Sequence, residues 1–241
     1  GIGTLGDEAF KFVDFLKGAG QKYWQVLPIG QTGYGESPYQ SFSSYAGNPY
    51  MIDLDCLCKD GLLSESFLQT IDFGTNDSYI DFDKIKEHRW EVLRIAFQNF
   101  DRENNKEFAK FCDENSWWLD DYVLFSALKL HFKDDVWMKF PLDVRVRKNC
   151  AINLFRTLLN NDIEFFKFVQ FEFFKQWFSL KKYANNSGIY IIGDIPIYVA
   201  LDSADVWSNP SVFKLDDSFT PTVVAGCPPD DFSATGQLWG N

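Results

Sequence analysis

The sequence predicts an α/β fold in which a helical block interrupts a parallel sheet. Two short apolar runs, Tyr23–Leu27 and Ile189–Ile192, read as strands, and each follows a segment with helical periodicity. Between them, from about residue 55 to 148, apolar residues recur at helical spacing and no strand pattern intervenes. The length, 241 residues, suffices for one large core or two small domains.

The elements follow in order. Asp7 to Lys17 predicts a helix, because Phe10, Val13 and Leu16 share one face and Gly18 or Gly20 can close it. Trp24, Val26 and Leu27 form the first strand, which Pro28 stops. In the middle block Leu57, Leu62, Leu63, Phe67 and Leu68 suggest short helices. A longer helix runs from Ile85 to Phe100 through Trp90, Leu93 and Phe97. Trp118, Tyr122, Phe125, Leu128 and Phe132 mark another, and Pro141 breaks the run. Asp162 to Tyr183 predicts a long helix with Asn161 or Asp162 at its N-cap and Gly188 beyond its end. Phe166, Val169, Phe173, Trp177 and Leu180 form its apolar stripe, and Phe165, Phe168 and Phe171 widen that stripe to two buried faces. Ile189–Ile192 is uninterrupted by polar residues, as in a strand covered on both faces. Asp202 and Asp205, beside Ser203, start a short helix through Val206 and Trp207.

Composition narrows the class. Lys plus Arg total 23 against 34 Asp plus Glu, a net charge of −11, which argues against nucleic acid or an anionic membrane as partner. No apolar run reaches the length of a membrane span. Aromatic residues make up 18% of the chain, a high share that predicts a core packed with rings, with only a minority exposed for ligand stacking. The five cysteines are odd in number, Cys56 and Cys58 lack metal-knuckle spacing, and His88 and His131 stand far apart. Free buried thiols, no metal, no cofactor and a cytoplasmic location are the expectation. The triplets Asn76–Ser78 and Asn185–Ser187 have the glycosylation pattern, which without a secretory signal is coincidental.

Gly1-Ile2-Gly3-Thr4-Leu5-Gly6 has dinucleotide-motif spacing. That chemistry needs a preceding strand and an acid about twenty residues later, where Tyr23–Gln25 stands instead, so a turn feeding the first helix accounts better for the glycines.

The segment after Pro28 is the most informative. Residues 29–50 hold four glycines, two prolines, four tyrosines and four serines, with few aliphatic side chains. So long a loop inside a compact domain is uncommon unless functional. Rings to stack on, with hydroxyls to bond to, are what a sugar requires. Turn chemistry explains Gly33, Gly35, Pro38 and a capping Ser37. It does not explain why Tyr34 and Tyr39 flank the turn. Asp194 follows the second strand, at the end where α/β sites are built, although a turn cap is the simpler alternative. The stretch from Gly226 to Trp239 is a second glycine- and proline-rich loop that by itself reads as mobile surface.

From Trp24 to Tyr50 the chain resembles the amylomaltases, the 4-α-glucanotransferases of glycoside hydrolase family 77, matching their W-Q-x-L-P-x-G-x-T-G-Y-G-x-S-P-Y-Q-S-F-S-x-x-A-G-N-P-Y signature. Similarity returns at Trp117–Tyr122, Gly193–Val199 and Pro221–Asn241. The resemblance implies a partial (β/α)8 TIM barrel: residues 1–54 and 149–241 as barrel segments and 55–148 as a largely helical insertion. It implies α-1,4-glucans or maltooligosaccharides as ligands, with Tyr34, Ser37 and Tyr39 along the groove. Asp194 would bind a hydroxyl of the sugar beside the scissile bond. Asp230, Phe232, Gln237 and Trp239 would belong to a lid over the acceptor sites. Asp231 departs from the aromatic common there, a loss of ~1 kcal/mol if that ring stacks as other aromatic pairs do. Retaining transfer needs two carboxyl groups about 5–5.5 Å apart. The family's R-x-D-H-F type nucleophile motif does not occur, so no catalytic residue is expected in this chain; the nucleophile and acid/base would lie beyond Asn241, and the family's first strand before Gly1. An α-glucan hydrolase on the same scaffold and a non-catalytic glucan-binding fragment are the alternatives.

Overall fold

The computed structural model describes residues 3–32, 37–74, 80–133 and 136–239, so Tyr34, Gly33, Gly35 and the triplet at Asn76 lie outside the described residues. The chain is a mostly helical α/β protein with small sheets. It divides into two compact units: residues 1–29, 47–117 and 164–194 form the first, and 30–46, 118–163 and 195–241 the second.

In the first unit, Asp7 and Glu8 sit in the opening turn of α1 (Asp7–Gly18), where carboxylates favour the helix dipole, and Val13 and Leu16 are its buried face. Thr4–Gly6 lead into it as the turn the sequence predicts. Gly6 is required there: a Cβ would stand 2.1 Å from the Asp53 carboxylate. Asp53 in turn accepts the Thr4 hydroxyl at 2.7 Å and the Cys56 N–H at 2.9 Å, capping α2 (Leu54–Lys59).

β1 (Tyr23–Gln25) pairs in parallel with β2 (Tyr190–Ile192), Trp24 opposite Ile191, and the Val26 N–H extends the ladder to the Ile192 carbonyl at 3.0 Å. The expected cover on both faces is not found. Tyr23 is 63% exposed, Tyr190 57% and Ile192 46%. Among the described residues each strand pairs with one neighbour in a two-stranded sheet, and outward side chains of both are uncovered.

Helices supply the core of the unit. α3 (Glu65–Leu68) is a single turn capped by Ser64. α4 (Phe82–Gln98) buries Ile85, Val92, Leu93, Ala96 and Phe97. α5 (Lys106–His131) begins well before its marker Trp118, because the Asn105 side chain accepts the Phe108 N–H at 2.8 Å and caps it. α8 (Asn160–Asn186) is the long helix the sequence predicts, begun before Asn161. From Phe165 to Phe173 every residue but Lys167 is buried, more than the two faces expected. The Phe100 and Phe168 rings lie 4.9 Å apart, Trp90 and Phe166 5.8 Å, and Phe108 and Phe171 5.5 Å, in the tilted and edge-on geometries aromatic pairs prefer.

Two glutamines on α8 fix the chain beside it. Gln170 accepts the Gly47 N–H at 2.8 Å and donates to the Gly47 carbonyl at 3.1 Å. Gln176 treats Asp53 in the same way, at 2.7 and 3.1 Å. A Cβ on Gly47 would stand 2.0 Å from the Phe173 ring, so only glycine lets the backbone come this close.

The second unit contains the remainder of α5, α6 (Leu142–Arg145), α7 (Asn149–Leu158), α9 (Ala204–Ser208) and a hairpin of β3 (Gly226–Cys227) and β4 (Gln237–Leu238). Sequence pattern missed α7, whose apolar face is only partly covered: Ile152 is buried while Leu154 and Leu158 are exposed. Trp137 and Trp207 are fully buried, their indole N–H groups donating to the Leu201 and Val144 carbonyls at 2.8 and 3.2 Å. All five cysteines are free as expected but not buried: four are half-buried and Cys150 is exposed. Among the described residues no helix is long and apolar enough to cross a membrane.

Two stability predictions follow from the first unit. Gln170→Ala leaves the Gly47 N–H and carbonyl without partners at a buried site, and should lower the unfolding free energy in urea by about 1–3 kcal/mol or more. Glu172, on α8, is 1% exposed with Oε1 lacking any hydrogen-bond partner and Oε2 3.4 Å from Lys175. Burial raises its pKa from 4.5 to about 7. A raised carboxyl pKa favours the folded state below the unfolded value, and that contribution is lost as pH rises from about 4.5 to about 7. Glu172→Gln should therefore match the parent near pH 4.5 and exceed it above pH 7 by on the order of 2 kcal/mol; parallel pH–stability curves would refute this.

Candidate functional site

Asp194 belongs to the first unit, two residues beyond β2, and is exposed. Because β1 and β2 run parallel, the chain leaves both at the same end of the sheet, at Val26 and at Gly193. The remaining described site candidates, Ser37, Tyr39, Asp230, Phe232, Gln237 and Trp239, all belong to the second unit.

Ser37 acts as the turn residue its chemistry suggests: its hydroxyl accepts the Tyr39 N–H at 3.3 Å, and its carbonyl accepts the Gln40 N–H at 3.1 Å. Tyr39 is 44% exposed at that turn. Below it Thr32 and Ser41 form an antiparallel bridge. The Ser41 hydroxyl donates to the Ser43 carbonyl at 2.7 Å, and the Ser43 hydroxyl accepts the Tyr45 and Ala46 N–H groups at 3.2 and 3.3 Å. The serines of this loop are thus spent largely on its own backbone, and the rings are left outside.

The second glycine-rich segment is more ordered than its composition suggests. Gly226 pairs with Leu238 and Cys227 with Gln237. A Cβ on Gly226 would meet the Gln237 carbonyl at 2.3 Å, and Gly236 has φ +74°. Asp230 accepts the Phe232 and Ser233 N–H groups at 3.0 and 2.8 Å, an Asx turn at the hairpin end. Phe232, carried by that turn, is 94% exposed. The Trp239 indole N–H donates to the Gln237 amide oxygen at 3.0 Å.

Pattern reading missed two residues here. Tyr198 stands with its ring 5.8 Å from that of Trp239, tilted 46°, which brings together the segment after Asp194 and the end of the hairpin. Its only signal was its place in the Gly193–Val199 run. Tyr45, half exposed, packs 6.2 Å from Trp118, and Trp118 lies 6.2 Å from Tyr122, whose hydroxyl donates to the Gln31 side chain. Exposed rings beside amide and hydroxyl groups suit the apolar faces and hydroxyls of a saccharide. Among the described residues no group of three His, Cys, Asp or Glu could hold a metal ion.

The family model for 4-alpha-glucanotransferase matches residues 1–241. A 4-alpha-glucanotransferase of Clostridium butyricum is 52% identical over the whole chain, which covers 50% of that protein, and one from Streptococcus pneumoniae is 47% identical, with 48% covered. A solved structure, the amylomaltase from Streptococcus agalactiae in complex with acarbose, superposes on the whole chain with a TM-score of 0.96 at 43% identity, the chain covering 49% of it. The chain spans about half the length of the curated relatives it matches. With a family model matched from end to end and those identities over its full length, the chain belongs to the 4-alpha-glucanotransferase family, glycoside hydrolase family 77.

Proposed function

We propose that this segment supplies substrate-binding loops to an enzyme that transfers α-1,4-glucan segments to acceptor sugars through a covalent glycosyl-enzyme. The observation that carries this reading is the Tyr198–Trp239 ring pair with the Gln237 amide beside it: an apolar stacking surface and a hydrogen-bonding edge within one sugar width. Tyr39 and Phe232 offer further exposed rings on two built turns. Acarbose, a saccharide, occupies the related amylomaltase structure.

In this reading β1 and β2 are neighbouring strands of a (β/α)8 barrel, residues 1–54 and 149–241 are barrel segments, and 55–148 is a helical insertion. Asp194, past the C-terminal end of β2, lies where such barrels place polar site residues. It binds a hydroxyl of the sugar beside the scissile bond, a contact that strengthens as the ring distorts. The hairpin 226–239 covers the acceptor, keeps water from the intermediate and so favours transfer over hydrolysis. The two carboxyl groups of the double displacement come from the part of the full-length protein outside this segment.

Full-length protein incubated with maltotriose should give longer oligosaccharides; glucose and maltose alone would identify a hydrolase instead. Asp194→Asn in the same protein should lower kcat by roughly 10²-fold or more with the fold intact, as expected for a bond made mainly in the transition state. Parental turnover in that variant would return Asp194 to a turn-capping role.

A further inference from the structure

We propose that Asp205 is a positioning residue for saccharide binding, fixing the base of the Tyr39 loop to α9 without touching ligand; the proposal rests on the reading of that loop as a sugar-binding element. Asp205 Oδ2 accepts the Ser44 N–H at 2.9 Å across 161 positions of sequence. One residue earlier the Ala204 N–H donates to the Phe42 carbonyl at 2.8 Å, so α9 holds two consecutive stretches of the loop by one donor and one acceptor.

The anchor is itself immobilised. Ser203 is fully buried and caps α9 through the Val206 N–H at 3.3 Å. Asp202 accepts Lys129 Nζ at 2.6 Å and the Trp137 N–H at 3.1 Å, tying the approach to α9 to α5. Trp207 is fully buried between Phe125, 5.9 Å away, and the Arg147 guanidinium, 4.2 Å above its ring. A carboxylate on so rigid a base transmits its position to what it bonds. Tyr122 holds Gln31, Thr32 bridges Ser41 and the Ser41 hydroxyl bonds the Ser43 carbonyl, so the described stretch 37–44 that carries Tyr39 is tied at its base. Burial raises the Asp205 carboxyl pKa, against the hydrogen bonds from Ser44 that lower it.

The full-length protein tests this with maltotriose kinetics on Asp205→Ala, Asp205→Asn, Asp205→Glu and Tyr39→Ala. Loss of the Ser44 anchor in Asp205→Ala should raise KM about tenfold with kcat changed less than about twofold, because a loop misplaced by an ångström costs binding before chemistry. Asp205→Asn retains an acceptor oxygen and should keep the parental KM. Asp205→Glu keeps the charge but moves the oxygens outward by one methylene, and should raise KM about threefold. This last variant decides the matter should Asp205→Ala not fold. Combining Asp205→Ala with Tyr39→Ala should raise KM no further than Tyr39→Ala alone. Parental KM in both Asp205→Ala and Asp205→Glu, with KM raised in Tyr39→Ala, overturns the positioning role and leaves the sugar-binding reading standing. Parental KM in Tyr39→Ala overturns both.

Discussion

The first unit is organised by one repeated contact: a buried glutamine on α8 closing both hydrogen-bonding groups of a neighbouring peptide. Gln170 does this to Gly47 and Gln176 to Asp53, six residues apart in both segments. The segment 47–53 has little regular structure beyond a 3-10 turn at Pro49–Met51, yet most of it is buried. Buried peptide groups that lack a ladder must find side-chain partners, and an amide can satisfy donor and acceptor together. The two clamps make that stretch behave as though it had a strand beside it, at a site where Gly47 allows the Phe173 ring to touch backbone.

That constraint reaches outward through Asp53. Held by Gln176 at its backbone, Asp53 presents its carboxylate to Thr4 and to the first turn of α2, and it occupies the space above Gly6 where α1 begins. The Ile52 carbonyl next to it accepts the Arg89 guanidinium of α4 at 2.8 Å. Three helices and the chain entering α1 thus refer to one short segment, whose position α8 sets.

The second unit solves a different problem, that of holding long loops poor in aliphatic residues. Its solution is two buried indoles and a short helix. Trp137 and Trp207 give their N–H groups to backbone carbonyls and bring packing mass, and α9, held by Trp207, offers Asp205 and the Ala204 N–H to the loop 37–46. Loop serines bond to the loop itself, which leaves tyrosine rings as its outward surface. The hairpin 226–239 repeats the arrangement with glycines at close approaches, an Asx turn at its tip and Phe232 and Trp239 presented outside. In both loops the polar groups satisfy the backbone, and aromatic rings form the exposed surface.

Local chemistry determined much by itself. The periodicity of Phe10, Val13 and Leu16 made α1 and the apolar stripe through Phe166 and Leu180 made α8, because spacing acts within a few residues; α9 begins where Asp202 and Asp205 marked it, although Ser203 between them is the cap. The run Trp24–Tyr50 marked the family. What needed the tertiary structure involves distant partners. Nothing near Gln170 or Gln176 in sequence says that they bond 123 residues away, and Asp205 gives no local sign of reaching Ser44. The exposure of Tyr190 and Ile192 within this segment was likewise not legible in their apolar pattern, since burial depends on which strands and helices gather around a strand.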